Sequence, residues 1–389
     1  MKIGILTYHR AHNYGAMLQA FALLQYLTEQ GYVVEIIDYW PFEHEREYQL
    51  FQKPAANSSI LQTFRQWIYY SLTFGRRWCR IQVFKTFLHK NLHIAHPIKY
   101  RTAKQIPSTY DYVIIGSDQI WRNYSSPTRH IGFDPTYFGV DIEDVPIISY
   151  AASMGYIHLN SQEQQFLKNT LARFKAISVR EEPLQQVLAQ LGITSQIVCD
   201  PTFLLSKREW MQYLPQQSYR KRPYILLYEM VPSPALHQMA QILAKQYHAD
   251  ILQIQVRIST IPRKNHNQCA SPFELLHAIR DAQYVVTTSF HGTAFSVIFE
   301  KQFVIAETGK MSERIQSLLR GCHLQERYTT PEQLPTLSNI DYATISSLKE
   351  DYVMQNLFIL VTNAGLAQML PFVPALLSAT DALSAQARW

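Results

Sequence analysis

Short apolar runs alternate with longer amphipathic segments along most of this chain. Near the start, KIGILT is an apolar run, Met17, Phe21 and Leu24 then recur at helical spacing, and VVEIIDYW follows Gly31 as a second run. Short apolar runs are typical of buried strands, and a period of roughly 3.6 residues is typical of a helix with one buried face. The segment therefore predicts a β-α-β unit.

The same alternation continues in two successive series. The later apolar runs of the first series are DYVIIGSD, PIISYAAS, AISVRE and QIVCDPTF, and those of the second are PYILLYEM, ADILQIQV, QYVVTTS and FVIAE. The polar stretch LPQQSYRKRP between the two series predicts a linker. Strands that alternate with helices predict parallel sheets covered by helices. We predict two Rossmann-like α/β domains over residues 1–215 and 221–335, followed by a helical tail over 336–389.

Length and composition agree with this division. The chain has 389 residues, of which 47% are hydrophobic and 17% charged, as in folded proteins with more than one core. The stretch MKIGILTYHR begins as a strand and has no signal-peptide pattern. The four cysteines lie far apart and form no CxxC pair. We therefore expect reduced thiols and a cytoplasmic protein.

The net charge of +6 is unevenly distributed. No acidic residue lies between Glu47 and Asp111, an interval in which lysines and arginines alternate with aromatic residues. We predict a basic helical insert over about residues 57–104. Two interpretations remain open, a helix pair with a solvated basic face, or a surface that contacts an anionic membrane or a phosphate-bearing substrate. Nucleic acid is not an expected partner, because no nucleic-acid-binding motif accompanies the charge.

Residues 352–380 contain no charged side chain. The stretch is long enough to span a bilayer, but amide side chains and two prolines, Pro371 and Pro374, interrupt it. We therefore favour a helical extension that is buried or lies on a surface.

Several common signatures are missing. The chain has no GxxxxGK[ST], no GxGxxG after the first strand, no HExxH and no GxSxG. These absences argue against a P-loop, a dinucleotide cofactor, a zinc site and a serine hydrolase. We expect no cofactor and no metal.

Candidate site residues follow the predicted strands, because ligands of open parallel sheets bind beyond the carboxyl ends of the strands. His291 follows QYVVTTS and begins a helix, where the amides of Gly292 and Thr293 favour an anion. The alternative is a structural histidine at a strand-helix corner. Arg180 ends AISVR and suits a carboxylate or phosphate, or else forms a salt bridge with the adjacent glutamates. Arg314 is a further candidate for anion binding.

A second group of candidates lies in the first series. The side chains offer amide, carboxylate, hydroxyl and aromatic groups, which suit a hydroxyl-rich ligand with a ring stacked on a sugar face. They are Asn13, Tyr14, Gly15, Ser117, Asp118, Gln119 and Trp121. The alternative is that they are turn and capping residues.

Six motifs, in this order and spacing, resemble the bacterial polysaccharide pyruvyl transferase family. They are ILTYHRAHNYGAMLQAFAL, YDYVIIGSDQIW, ISYAASMG, AISVREE, CDPTFLL and VVTTSFHGTAFSVIF with SERIQSLL. The resemblance runs from Lys2 to about Arg327 and does not include the uncharged tail. It implies a GT-B-like fold, in which two Rossmann-like domains face an interdomain cleft.

The resemblance also implies a reaction, the transfer of a pyruvyl group from phosphoenolpyruvate to sugar hydroxyls during capsule or exopolysaccharide biosynthesis. By motif, His291 and Arg180 correspond to donor-site residues of the family, and Ser289 stands where many relatives have an arginine. The expected donor site therefore comprises Arg180, Ser289, His291, Gly292, Thr293 and Arg314. Asp118 is the candidate base for the attacking hydroxyl of the acceptor.

The expected acceptor is a sugar or a lipid-linked oligosaccharide, with the protein at the inner face of the cytoplasmic membrane. Two other functions remain open on the same architecture. One is a GT-B-type glycosyltransferase that uses a nucleotide-sugar donor, and the other is a non-catalytic sugar-binding assembly protein.

Overall fold

A computed structural model describes most of the chain. The described residues are 1–41, 44–45, 48–52, 58–106, 109–123, 132–155, 157–261, 263–306 and 313–345. Most of the predicted tail, including the uncharged stretch 352–380, lies outside these ranges. Within them, no helix combines the length and the apolar character needed to cross a membrane.

The first sheet has seven parallel strands in the order β3-β2-β1-β4-β5-β6-β7. The strands are Lys2–Leu6 (β1), Val33–Tyr39 (β2), Ile94–Tyr100 (β3), Tyr112–Ile115 (β4), Ile147–Ala152 (β5), Phe174–Val179 (β6) and Gln196–Ile197 (β7). Strand β1 lies between β2 and β4, so the direction of chain progression reverses beside it. Such a switch point leaves a crevice at the carboxyl ends of the strands.

The second sheet repeats this arrangement with six parallel strands in the order β10-β9-β8-β11-β12-β13. The strands are Tyr224–Glu229 (β8), Asp250–Gln255 (β9), His266–Asn267 (β10), Tyr284–Thr287 (β11), Phe303–Ala306 (β12) and Tyr328–Thr329 (β13). Its switch point lies between β8 and β11. The predicted pair of Rossmann-like parallel-sheet domains is therefore confirmed.

Local capping signals define where the helices begin. The helices are Tyr14–Glu29 (α1), Ile60–Asn91 (α2), Ser161–Leu171 (α3), Glu182–Gln190 (α4), Lys207–Met211 (α5), Pro234–Gln246 (α6), Pro272–Asp281 (α7), Phe290–Ile298 (α8) and Glu313–Gly321 (α9). Asn13 caps α1 by accepting from the amides of Gly15 and Ala16. Ser289 caps α8 by accepting from the amide of Gly292. Both capped helices begin directly beyond a strand of a switch point.

An aromatic cluster joins the two domains. Phe21 of α1 lies 5.7 Å from Trp210 and 5.2 Å from Phe273 of α7, measured between ring centroids. Trp210 also contacts Phe295 of α8 at 5.1 Å. One continuous hydrophobic core thus contains residues of both sheets. This packing holds the two switch points opposite each other.

The basic insert differs from the prediction. Over Ile60–Asn91 it is one helix of 32 residues, α2, instead of a helix pair. Ile94–Tyr100, which falls within the predicted helical range 57–104, is a strand at the edge of the first sheet. Proline in IAHPIKY is compatible with a strand at the edge of a sheet, where one side of the backbone has no partner strand.

Helix α2 also fastens the first domain to the second. The buried guanidinium of Arg80 donates to the carbonyls of Gln255, Val256 and Gln268, which lie at or just after the ends of β9 and β10. Tyr69 donates to the carbonyl of Ile258 at 2.9 Å. The insert is therefore part of the domain interface, and its inner face is not a solvated basic face.

Candidate active site between the two sheets

The two switch points enclose a cavity of about 730 Å³. Its walls come from the segments that follow β1, β4, β8 and β11, together with the start of α9. The lining residues include Tyr8, Asn13, Tyr48, Asp118, Gln119, Arg122, Met230, Thr288, Ser289, Phe290, His291 and Arg314. A cavity of this size at facing switch points is the place where a small ligand binds in such folds.

His291 lies in the first turn of α8 and is 7% exposed. Its imidazole lies directly against Gly15 of α1. A Cβ atom on Gly15 would lie 1.9 Å from Nδ1 of His291, so only glycine fits at position 15. Nε2 of His291 lies 3.6 Å from a carboxylate oxygen of Asp200 and has no hydrogen-bond partner among the described residues. A buried histidine with an unpartnered nitrogen at a cavity wall is suited to bind a ligand.

Arg180 is buried behind the cavity and forms an ion pair with Asp200. Its Nη1 donates to Oδ2 of Asp200, which follows β7. The alternative pairing with the adjacent glutamates is wrong. Glu181 accepts from Ser153 and from two backbone amides beyond β5, and Glu182 pairs with Arg320.

The charge state of Asp200 follows from these neighbours. Burial raises the pKa of this carboxyl, but Arg180 and His291 lower it by more, so the pKa lies well below the usual value. Asp200 is therefore an anion that holds Arg180 in place and lies near His291.

A second layer of charge surrounds Phe290. The guanidinium carbon of Arg180 lies 4.9 Å from the centroid of the Phe290 ring, and that of Arg314 lies 5.6 Å from it. Asp118 is 3.7 Å from Arg180 and 3.6 Å from Arg314. Burial, and then the charge of Arg180, lower the pKa of Arg314. The cluster therefore places two guanidinium groups and their carboxylate partners at one wall of the cavity.

Backbone amides in the first turn of α8 already donate hydrogen bonds to the capping residue, Ser289. The amide of Gly292 donates to Oγ of Ser289 at 3.3 Å, and the amide of Thr293 donates to the carbonyl of Ser289 at 3.0 Å. The prediction that these amides bind an anion is therefore wrong for this arrangement. Gly292 instead permits close packing, since a Cβ atom there would lie 2.5 Å from Oγ1 of Thr287.

The predicted acceptor-side residues separate into two groups. Asn13 and Gln119 line the cavity together with Asp118. Tyr14, Ser117 and Trp121 are buried in the first domain. Trp121 donates from its indole N–H to the carbonyl of Tyr137 and stacks on Phe138, so its ring is not available to a sugar. The prediction that Trp121 stacks on a sugar ring is therefore wrong, because the indole lies in the hydrophobic core.

Other residues at the site also follow strands. Tyr8, Arg122 and Asp200 lie in the segments after β1, β4 and β7, so the rule that placed Arg180 at the site applies equally to them. Tyr48 has no such signal, because it lines the cavity from a segment well beyond the end of β2. In the described part of the chain, no group of three or more histidine, cysteine or acidic side chains is placed to hold a metal ion.

The fold and the site define a two-domain α/β protein with a Rossmann-type strand order in each domain and, between them, a cavity lined by His291, Arg314 and Asp118. The sequence profile of the family "Polysaccharide pyruvyl transferase" matches residues 13–308, which is most of the chain. The chain therefore belongs to the polysaccharide pyruvyl transferase family. No curated protein sequence matches it significantly.

Several solved structures match this chain at low sequence identity. A UDP-GlcNAc 2-epimerase from Neisseria meningitidis is 10% identical, with a TM-score of 0.46 and coverage of 93% of this chain and 100% of that chain. The heptosyltransferase WaaC from E. coli is 9% identical, with a TM-score of 0.33 and coverage of 80% and 90%. The Streptomyces sp. SF2575 glycosyltransferase SsfS6 is 11% identical, with a TM-score of 0.36 and coverage of 92% and 96%. These similarities say nothing about the substrate of this chain.

Proposed function

We propose that the protein transfers a pyruvyl group from phosphoenolpyruvate to sugar hydroxyls and forms a pyruvate ketal in capsule or exopolysaccharide biosynthesis. The observation that carries the proposal is a set of buried donors beside one cavity. Nε2 of His291 has no hydrogen-bond partner among the described residues, and the Arg314 side chain lines the same cavity. Buried polar groups without partners are rare, and cationic ones are suited to an anionic ligand. Phosphoenolpyruvate carries a carboxylate and a phosphate.

The three cationic side chains would then have different roles. Arg314 and His291 line the cavity and would contact the phosphate or the carboxylate directly. Arg180 is 2% exposed and lies behind Phe290, so it would act mainly through its charge and by holding Asp118 and Asp200. Arg314 would replace the arginine that many relatives have at the position of Ser289, because Ser289 is occupied as the cap of α8.

The chemistry follows from these positions. A protonated His291 would donate its proton to the methylene carbon of phosphoenolpyruvate, which becomes a methyl group as positive charge develops on the neighbouring carbon. One sugar hydroxyl forms a bond to that carbon and gives up its proton to a carboxylate, for which we propose Asp118. The bond to phosphate breaks with its electron pair on the phosphate oxygen. A second hydroxyl then closes the ketal and releases its proton.

The acceptor would occupy the side of the cavity formed by the first domain. Asn13 and Gln119 offer amide groups for sugar hydroxyls, and Tyr8 and Tyr48 offer aromatic rings in place of Trp121. We propose a sugar or a lipid-linked oligosaccharide as the acceptor. The four cysteines form no disulfide among the described residues, and we propose a cytoplasmic location.

Phosphoenolpyruvate is expected to raise the melting temperature of the protein. At roughly 100 times its Kd, a ligand of the folded state adds about 2.7 kcal/mol to the free energy of unfolding, which corresponds to a rise of a few degrees. Differential scanning fluorimetry measures this rise, with UDP-sugars as the comparison. Stabilisation by a UDP-sugar alone would instead support a glycosyltransferase, and the absence of phosphate release with any sugar acceptor would support a non-catalytic binding protein.

Substituting alanine for Gly15 is expected to lower kcat/KM by roughly 10²-fold, because the added methyl group must displace the His291 ring from its position against α1. Phosphate release from phosphoenolpyruvate measures the effect. Gly75→Ala is the matched control, since a Cβ atom at Gly75 would contact nothing within 4 Å. Equal kcat/KM values for Gly15→Ala and the wild type would contradict the proposed role of His291.

A further inference from the structure

Helix α2 has two apolar faces. Its inner face packs on the protein through Tyr70, Phe84, Phe87 and Leu88. The opposite face of its first half carries apolar side chains that are 44% to 90% exposed. They are Ile60, Leu61, Phe64, Ile68 and Leu72. A helix with an apolar face on each side requires a second apolar environment, because such a contiguous patch is unusual on a monomeric soluble protein.

Aromatic rings widen this outer face. Trp67 is 51% exposed and Trp78 is 53% exposed. Phe51 stacks on Phe74 with ring centroids 6.0 Å apart and also contacts Trp67 at 5.8 Å. Tryptophan is enriched where proteins meet the interface of a bilayer, since its ring is apolar and its N–H is polar.

The charges beside this face have one sign. Arg65, Lys85 and Lys90 are exposed on α2, and no acidic residue occurs in the sequence between Glu47 and Asp111. At 3.6 residues per turn, Arg65 and Lys90 lie on one flank of the apolar face and Lys85 on the other. A basic, apolar and aromatic helix surface complements an anionic lipid headgroup layer with acyl chains beneath it.

The outer face lies close to the site. A second cavity of about 600 Å³ is lined by Trp78, Lys85 and His89 of α2 and by Tyr48. Tyr48 also lines the cavity between the two sheets. Because Arg80 fixes α2 to the second domain, this spatial relation is built into the domain interface.

We propose that the outer face of α2 docks on an anionic membrane surface, with the apolar side chains in the interface and the basic flanks on the headgroups. This inference does not depend on the proposed reaction, because it rests on α2 alone. Docking would place the cavity beside lipid-linked saccharides.

The test uses the full chain and vesicles of about two parts phosphatidylcholine to one part phosphatidylglycerol. We expect the wild type to sediment with them at low salt and to be released at about 1 M salt, where the Debye length is about 3 Å. The triple variant Phe64→Gln/Ile68→Gln/Leu72→Gln should bind more than about tenfold more weakly. The control is Val33→Gln/Met211→Gln, which removes exposed apolar side chains of β2 and α5 and should bind like the wild type.

The binding results separate the competing explanations. Equal binding of the Phe64 triple variant and the wild type overturns the proposal, and so does equal binding to pure phosphatidylcholine vesicles. A wild-type dimer in sedimentation velocity that the triple variant abolishes, without vesicle binding, assigns the face to a second copy of the chain and also overturns it. The variant keeps the uncharged tail intact, so loss of binding cannot arise from that segment.

A measurement on the wild-type fold keeps the test independent of the triple variant. Trp67 and Trp78 are exposed, whereas the other described tryptophans, Trp40, Trp121 and Trp210, are buried. Brominated lipids should therefore quench the fluorescence of the wild type, and Trp67→Phe/Trp78→Phe should remove that quenching while sedimentation persists. Absence of quenching in the wild type at saturating vesicles contradicts the proposal.

Discussion

Replacing His291 with glutamine is expected to lower kcat for pyruvyl transfer by roughly 10²–10⁴-fold, the usual contribution of a positioned general acid. Glutamine preserves much of the side-chain volume beside Gly15 but cannot donate a proton to carbon. Nε2 of His291 has no hydrogen-bond partner among the described residues, so its removal breaks no bond that supports the fold. The melting temperature should therefore stay close to that of the wild type. Steady-state phosphate release with a sugar acceptor measures kcat.

His93→Gln is the matched control, because His93 is an exposed histidine between α2 and β3 and lies far from the cavity lining. It should leave kcat unchanged. If His291→Gln raises KM for phosphoenolpyruvate but leaves kcat intact, His291 binds the donor without acting as the acid. A wild-type kcat together with a wild-type KM would remove His291 from the site altogether.

Replacing Arg180 with methionine is expected to lower the free energy of unfolding by about 3–5 kcal/mol, because it leaves the carboxylate of Asp200 buried without its cation. The pKa of Asp200 lies below its ordinary value of 3.8 in the wild type, so its ionisation stabilises the fold above that pH. This contribution is lost as the pH falls through the lowered pKa. In the variant the pKa should rise, and the dependence of stability on acid should weaken. Urea denaturation followed by circular dichroism, repeated at several pH values, measures both effects.

Arg320→Met provides the matched control. Arg320 pairs with Glu182 at 3.5 Å, but both side chains are about half exposed, so the loss should be about 0–1 kcal/mol. The double variant Arg180→Met/Asp200→Asn should recover part of the stability, because it removes the isolated charge. Equal stability of Arg180→Met and Arg320→Met would contradict the buried ion pair.

The order of strands and helices was predictable because it depends on local patterns. Short apolar runs such as YILLYE and YVVT became β8 and β11, and Ser271-Pro272, a pair typical of a helix start, stands at the start of α7. The strand-end rule placed Asp118 and His291 at one cavity, because parallel strands bring their carboxyl ends to one edge of a sheet. Strand β3 was missed, since its proline and lysine weaken the apolar pattern.

Local sequence patterns did not predict which polar side chains are buried or which charged residues pair with each other. Arg180 and Asp200 are 20 residues apart and belong to the ends of two adjacent strands, so their contact depends on the register of β6 and β7. The sequence offered Glu181 and Glu182 as nearer partners, but the direction of the backbone turns both away. Trp121 was expected at a ligand and lies in the core, because the turn after β4 directs its ring against Phe138.

The sequence alone therefore predicts features that depend on single residues and on their spacing. These features are the Rossmann-like alternation of strands and helices, the basic and aromatic insert, and the histidine that follows β11. The assembly of charges around Phe290, the close approach of Gly15 to His291 and the exposed outer face of α2 arise only when two domains pack together. Each depends on contacts between segments that are distant in the sequence. The pattern of apolar and polar positions specifies which face of a helix or strand is buried, but it does not specify which other element packs on that face.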